Sequence, residues 1–182
     1  MSGRYEIRFS GSGGQGLILA GVIFAEAAAI YDGINAVQSQ SYGPEARGGA
    51  SKSEVILSDG AIDFPKATSI DLMLALTQEA CAKYCKDVKE GGTLLVDEDF
   101  VHDVPAGDYN VIRLPIIRTA SEAVGKAFVA NIVAIGAIAA ITGRVSREAV
   151  EKAVLSRVPK GTEELNRKAL SAGYELVERR TV

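Results

Sequence analysis

Apolar and polar positions alternate from Tyr5 to Phe9 and then give way to glycine, which predicts a first strand. Leu17 to Tyr31 is rich in alanine and aliphatic residues at helical spacing. Asp32-Gly33 marks its end. Ile34 to Gln38 reads as a second short strand, so the first 38 residues predict one βαβ unit.

Ser39 to Ser51, with its glycines and proline, reads as a loop, and Lys52 to Leu57 as a strand. Ser58-Asp59-Gly60-Ala61 carries a hairpin signal, which predicts Ile62-Asp63-Phe64 as a return strand ended by Pro65. Ile70 to Leu76 is apolar except for Asp71 and predicts a central buried strand. A helix is expected over Gln78 to Lys89, stopped by Gly91-Gly92, then strands at Thr93–Val96 and Asn110–Leu114.

Thr119-Ala-Ser-Glu122 has capping-box spacing for a further helix. Asn131 to Thr142 predicts a helix with Asn131 as its N-cap. Gly136 at its centre would let another backbone approach closely. Ser146 caps a helix to about Arg157, and Thr162 begins the last, with Leu165, Ala169, Ala172 and Leu176 on one face. The expected fold is α/β: one three-layer α/β/α sandwich over residues 1–182, with a mixed, mostly parallel sheet, a Rossmann-like start and a helical C-terminal third.

Composition narrows the function classes. The chain has 182 residues, 47% of them hydrophobic, and 20 basic against 23 acidic side chains give a net charge of -3. It lacks the basic stripe that a nucleic-acid binder needs. Phe128 to Ile141 is too short to cross a hydrocarbon core, and Met1 to Arg8 has no secretory-signal pattern. Two cysteines without a disulfide framework point to a reducing compartment, so a cytoplasmic protein is expected.

The candidate chemistry lies in two loops. Gly11-Ser12-Gly13-Gly14-Gln15-Gly16 follows a strand and opens a helix, the context in which G-x-G-x-x-G presents free N–H groups to a pyrophosphate. Gly11, Gly13 and Gly16 occupy the three glycine places, Gly14 opens the turn further, and Gln15 adds an amide that could reach a ligand or a partner. The acidic residue that would bind a ribose is absent, because Ile34 to Gln38 runs on into Ser39 and Gln40. This argues against an independent NAD or FAD site. A packing turn, or a turn that meets a phosphate-bearing ligand or another subunit, remains.

Ser41 to Gly49 is the second loop, stiffened by Pro44. Arg47 could grip a carboxylate or phosphate and Tyr42 could stack on a ring. Glu45 and Arg47 could equally form a surface pair. Elsewhere the inventory is inert. His102 reads as a surface histidine and Cys81 and Cys85 as buried thiols on one helix face; Asp97-Glu98-Asp99 could bind a metal or cap a helix, but reads more simply as a solvated acidic turn. No catalytic residue and no metal ligand is assigned, which suits a subunit that completes a site held by other chains. A stand-alone NAD(P)-linked oxidoreductase and a purely structural adaptor are the competing readings.

The stretches "GSGGQGLILAGVIFAEAA" and "QSYGPEARGGASKSEVILSDGAIDFP", followed in order by "DLMLALTQEACAKY", "GGTLLVDEDFV" and "NIVAIGAIAAITG", resemble the gamma subunit of 2-oxoacid:ferredoxin oxidoreductases. The likeness is greatest to the 2-oxoglutarate type, because pyruvate and indolepyruvate relatives vary the second loop. It implies the domain III fold of pyruvate–ferredoxin oxidoreductase and oxidative decarboxylation of a 2-oxoacid with coenzyme A, giving an acyl-CoA, carbon dioxide and reduced ferredoxin. It also implies thiamine diphosphate and magnesium in alpha and beta subunits, and iron–sulfur clusters in beta or delta chains. On that resemblance, Gly11, Gly13, Gly14, Gln15 and Gly16 line the edge of the acyl-transfer site. Tyr42, Glu45 and Arg47 face coenzyme A or the thiamine-bearing subunits. Isolated from those partners, the chain is expected to expose an apolar face through which it could dimerise.

Overall fold

A computed structural model describes residues 3–41 and 49–180. Six strands form one mixed sheet in the order β2-β3-β1-β4-β5-β6: β1 (Tyr5–Ser12), β2 (Asn35–Ser41), β3 (Ala50–Ser58), β4 (Ile70–Ala75), β5 (Val88–Asp97) and β6 (Tyr109–Leu114). β1, β4, β5 and β6 run parallel, while β3 lies antiparallel to both β1 and β2. The expected mixed, mostly parallel sheet is present.

Helices cover both faces. α1 (Leu17–Glu26), α3 (Ile116–Glu122), α4 (Ala130–Thr142), α5 (Arg147–Arg157) and α6 (Glu163–Glu178) pack with Ile7, Phe9, Val55, Leu72 and Leu74 into the larger core. α2 (Gln78–Tyr84) and a 3-10 turn at Cys85–Asp87 cover the other face over Met73, Ala75, Leu94 and Val96. Gly136 does what its position suggests. A Cβ there would stand 2.3 Å from the Leu170 carbonyl oxygen, and one on Gly173 would stand 2.1 Å from that of Val133. The two glycines let α4 and α6 touch backbone to backbone.

Several expectations are corrected. The helix after β1 is α-helical only to Glu26; Ala27–Tyr31 is a π-helical turn, with Asp32 N–H bonded to the Ala27 carbonyl at 3.2 Å. β2 is not beside β1, because β3 is inserted between them. Ile62-Asp63-Phe64 is not a strand: β3 already has a partner on each edge, so no edge is left for a return strand.

Gly91-Gly92 does not stop a helix. It lies within β5, where the register with β4 jumps between Ile70–Val88 and Leu72–Thr93, and Gly91 takes a φ of 71° to absorb the jump. Thr119 does not open a helix either, since α3 has already begun at Ile116. Its start is held by Asp97, whose Oδ2 accepts from Ile117 N–H at 2.8 Å. Ser146 caps α5 as expected, its Oγ accepting from Ala149 N–H at 3.2 Å.

Candidate functional site

The glycine hexad straddles a strand and a turn. Gly11 and Ser12 still belong to β1, paired with Ser51 and Ala50 of β3, and the chain turns only at Gly13–Gly16. Gly14 and Gly16 have φ of 87° and 72°, in the left-handed region that favours glycine. Gln15 folds back, its Oε1 accepting from Ser12 N–H at 2.8 Å. A Cβ on Gly11 would lie 2.2 Å from that oxygen, so Gly11 makes room for the turn's own latch. The Gln15 carbonyl oxygen thus serves the turn itself and does not reach outward.

Gly16 is the N-cap position of α1, without a side-chain cap and without an acidic residue in the first turn. The first N–H groups of the helix therefore lack side-chain acceptors and carry the positive end of its dipole. Gly13 and Gly14 are exposed, and a Cβ on either would meet nothing within 4 Å, so the space over the turn is open. Two shallow cavities flank it. One of about 280 Å³ runs from Ser12 and Gly13 past Leu17 and Leu19 to Ser51. The other, about 320 Å³, lies between Gly14, Gln15, Ile117 and the exposed rings of Phe100 and Phe128.

Asn131 is not an N-cap. It sits in the first turn of α4, 6% exposed, and its Nδ2 donates to the Gly16 carbonyl at 3.3 Å while its Oδ1 accepts from Ile132 N–H at 3.0 Å. It ties the turn to α4. A Cβ on Gly16 would fall 2.6 Å from that Nδ2, so the hexad's last glycine and Asn131 fit each other. Only one polar side chain interrupts the run from Ala127 to Ile141, and that isolation is the signal pointing to Asn131. Nothing in the local pattern distinguishes Phe100 and Phe128 from core aromatics.

Asp97 does not lie in a solvated turn; it takes the helix-capping alternative. It is fully buried, and besides holding α3 its Oδ1 accepts from Asp99 and Phe100 N–H at 3.0 and 3.2 Å. Burial pushes its carboxyl above the ordinary range, against the lowering effect of those three donors. Glu98 and Asp99 instead pair with Arg118.

His102 is exposed. Cys81 and Cys85 are buried, and burial pushes the Cys81 thiol up to about 11, far from a reactive thiolate. Among the described residues no three His, Cys, Asp or Glu side chains group as metal ligands.

Tyr42, Glu45 and Arg47 lie outside the described residues, but the strands on either side of them are placed. Ser41 stands opposite Lys52, and Ala50 opposite Ser12. The second loop thus leaves and rejoins the sheet at the end where the glycine turn sits. The insertion of β3 also bears on the dinucleotide reading. A ribose anchor on β2 must stand next to β1, and here β2 is two strand spacings away, about 10 Å.

A family model described as pyruvate ferredoxin/flavodoxin oxidoreductase matches residues 6–176. The chain belongs to this family. It is 56% identical over 177 residues to the 2-oxoglutarate synthase subunit KorC of Methanocaldococcus jannaschii, covering 96% of this chain and 95% of that one. The crystal structure of a keto/oxoacid ferredoxin oxidoreductase gamma subunit from Geobacter sulfurreducens superposes with a TM-score of 0.91 at 65% identity, covering 98% of each chain.

The fold also recurs in the 2-oxoglutarate:ferredoxin oxidoreductase of Magnetococcus marinus, with a TM-score of 0.86 at 21% identity, where it spans 32% of a longer chain. Among the described residues, no helix is long and apolar enough to cross a membrane.

Proposed function

We propose that this chain is the gamma subunit of a 2-oxoglutarate-type 2-oxoacid:ferredoxin oxidoreductase and that its two loops form one edge of the acyl-transfer site. The assembled enzyme converts the 2-oxoacid and coenzyme A into an acyl-CoA (succinyl-CoA from 2-oxoglutarate) and carbon dioxide, and passes two electrons to ferredoxin. Identity above 50% to KorC subunits over nearly the full chain supports this assignment. The observation that carries the site is the register that brings Ser12, Ala50 and Ser41 to one end of the sheet.

The glycine turn suits the pyrophosphate of coenzyme A. Its open face has no Cβ in the way, and an uncapped helix start without acidic neighbours favours an anion. Gly11, Gly13, Gly14 and Gly16 shape that face, Gln15 latches it, and Tyr42, Glu45 and Arg47 extend it toward coenzyme A or the neighbouring subunits.

Thiamine diphosphate, magnesium and the iron–sulfur clusters belong to alpha and beta subunits, with a delta chain as a further candidate. The two buried cysteines here do not fit a cluster that takes four thiolates. The whole chain works as one catalytic-domain component, in the cytoplasm.

The test is Arg47→Ala in the reconstituted complex. The Michaelis constant for coenzyme A should rise about tenfold, as loss of one charge-assisted contact implies. Wild-type assembly together with a wild-type Michaelis constant would overturn the loop's role.

A further inference from the structure

Besides covering the sheet, α2 fastens one point of it. Among the described residues, β2 pairs with β3 only as far as Ser41 opposite Lys52, short of Ala50. On the other side Ala50 stands opposite Ser12 of β1. Ser12, however, spends its own N–H and carbonyl on Gln15, at 2.8 and 3.4 Å, so this pair exchanges no backbone bonds. Neither neighbouring strand therefore satisfies Ala50, which is 1% exposed. Two side chains of α2 do. The buried Tyr84 hydroxyl donates to the Ala50 carbonyl at 3.1 Å, and Glu79 Oε1 accepts from Ala50 N–H at 3.3 Å.

The helix that carries this clamp is itself held in place. Thr77 caps it, its Oγ1 accepting from Ala80 N–H at 3.3 Å, and the Gln78 amide bonds the backbone of His102 and Asp103. Three cations lie over the Tyr84 ring, with Arg8, Lys52 and Lys83 at 5.4, 5.7 and 5.4 Å from its centroid. A phenylalanine would keep those cations and the packing. Only the hydroxyl reaches Ala50.

We infer that Tyr84, with Glu79 beside it, is a positioning residue for the acyl-transfer edge, setting the start of β3 against the glycine turn. The inference rests on the reading of that turn as the part of the chain that meets coenzyme A. Ala50 stands opposite Ser12 and Ser51 opposite Gly11, and Ser12 and Ser51 wall the cavity of about 280 Å³ beside the turn. Once Ala50 is released, this wall frays and binding must order it again. That cost falls on affinity and leaves the chemical step alone.

In the reconstituted complex, Tyr84→Phe should raise the Michaelis constant for coenzyme A about fivefold, the worth of one neutral hydrogen bond, at unchanged kcat and assembly. Glu79→Ala should raise it about twofold, whereas Glu79→Gln, which keeps an acceptor oxygen, should stay near the wild-type value. A Tyr84→Phe complex that melts at a lower temperature but keeps the wild-type Michaelis constant would make the bond merely structural and overturn the inference. A fall in kcat at an unchanged Michaelis constant would overturn it too.

Gly13→Glu separates this inference from the reading beneath it. Position 13 is exposed and a Cβ there meets nothing within 4 Å, so the carboxylate stands on the open face of the turn without disturbing α2. It should raise the Michaelis constant for coenzyme A about tenfold by repelling the anion. If it does so while Tyr84→Phe changes nothing, the positioning role fails alone. If both leave the constant at its wild-type value, the turn does not meet coenzyme A and the positioning role falls with it.

Discussion

On the face toward α1, α4 and α6, β1 presents Ile7 and Phe9 to an apolar core. On the opposite face the same strand presents Glu6, Arg8 and Ser10, which are 2%, 3% and 0% exposed and therefore as buried as the hydrocarbons behind them. Arg8 bridges Glu54 at 2.6 Å and Asp87 at 2.5 Å. Lys52 reaches the same Glu54 at 2.8 Å, and the Arg8 and Lys52 cations lie over the Tyr84 ring. Glu6 accepts from Arg4 and from the N–H groups of Thr68 and Ser69, which pins the long segment between β3 and β4 onto the sheet.

One face is held by shape and the other by partner choice. Hydrocarbon packing tolerates small slides, whereas a buried ion pair fixes register because each misplaced charge is left unpaired. β1 and β3, the antiparallel pair that places the glycine turn beside the second loop, carry Arg8 and Glu54 opposite each other. Register is therefore specified where the site needs it.

The comparison breaks most severely on the apolar side, at the closest helix contact. Gly136→Val should destabilise the chain by about 3 kcal/mol or more, since its side chain must push α4 off the α6 backbone. Urea unfolding measures this, and a loss under about 1 kcal/mol would mean that the helices separate freely.

Arg8→Leu tests the charged face. It should cost about 2–3 kcal/mol, less than a fully orphaned buried charge, because Lys52 still neutralises Glu54. The double variant Arg8→Leu/Glu54→Leu should recover much of the loss. If it recovers none, the ladder contributes net stability and not only register.

The parts of this fold that were legible in the sequence are those governed by local chemistry. The apolar run of β4, broken only by Asp71, the Ser146 cap and the close approach at Gly136 follow from residue types a few positions apart. What was hidden depends on long-range partners. The return strand after Asp59-Gly60 failed because β1 and β2 already occupy β3, a competition between segments far apart in sequence. The strand–turn–helix of the hexad was readable, but its tie to Asn131, 115 residues away, was not. In an acidic triplet a solvated turn competes with a helix cap, and only the fold decides for the cap: Asp97 ends β5 and starts α3.

Asp97 also gives the smallest effect and the one with a sign. It lies among three backbone donors at the boundary between sheet and helices, yet burial outweighs them and raises its folded pKa. The folded chain therefore holds this proton more tightly than the unfolded chain does. Its contribution to stability grows as pH falls from the raised folded value toward the ordinary carboxylate range and is lost as pH rises through the folded value.

Asp97→Asn removes that slope and loses one acceptor, since a single amide oxygen cannot serve donors on both sides. The variant should be less stable by about 1–2 kcal/mol at neutral pH. Its deficit against wild type should widen as pH is lowered. Unfolding of both chains across that range decides it. A deficit that narrows on acidification would mean that the three N–H bonds dominate, and that Asp97 belongs with the charge-paired groups of the opposite face.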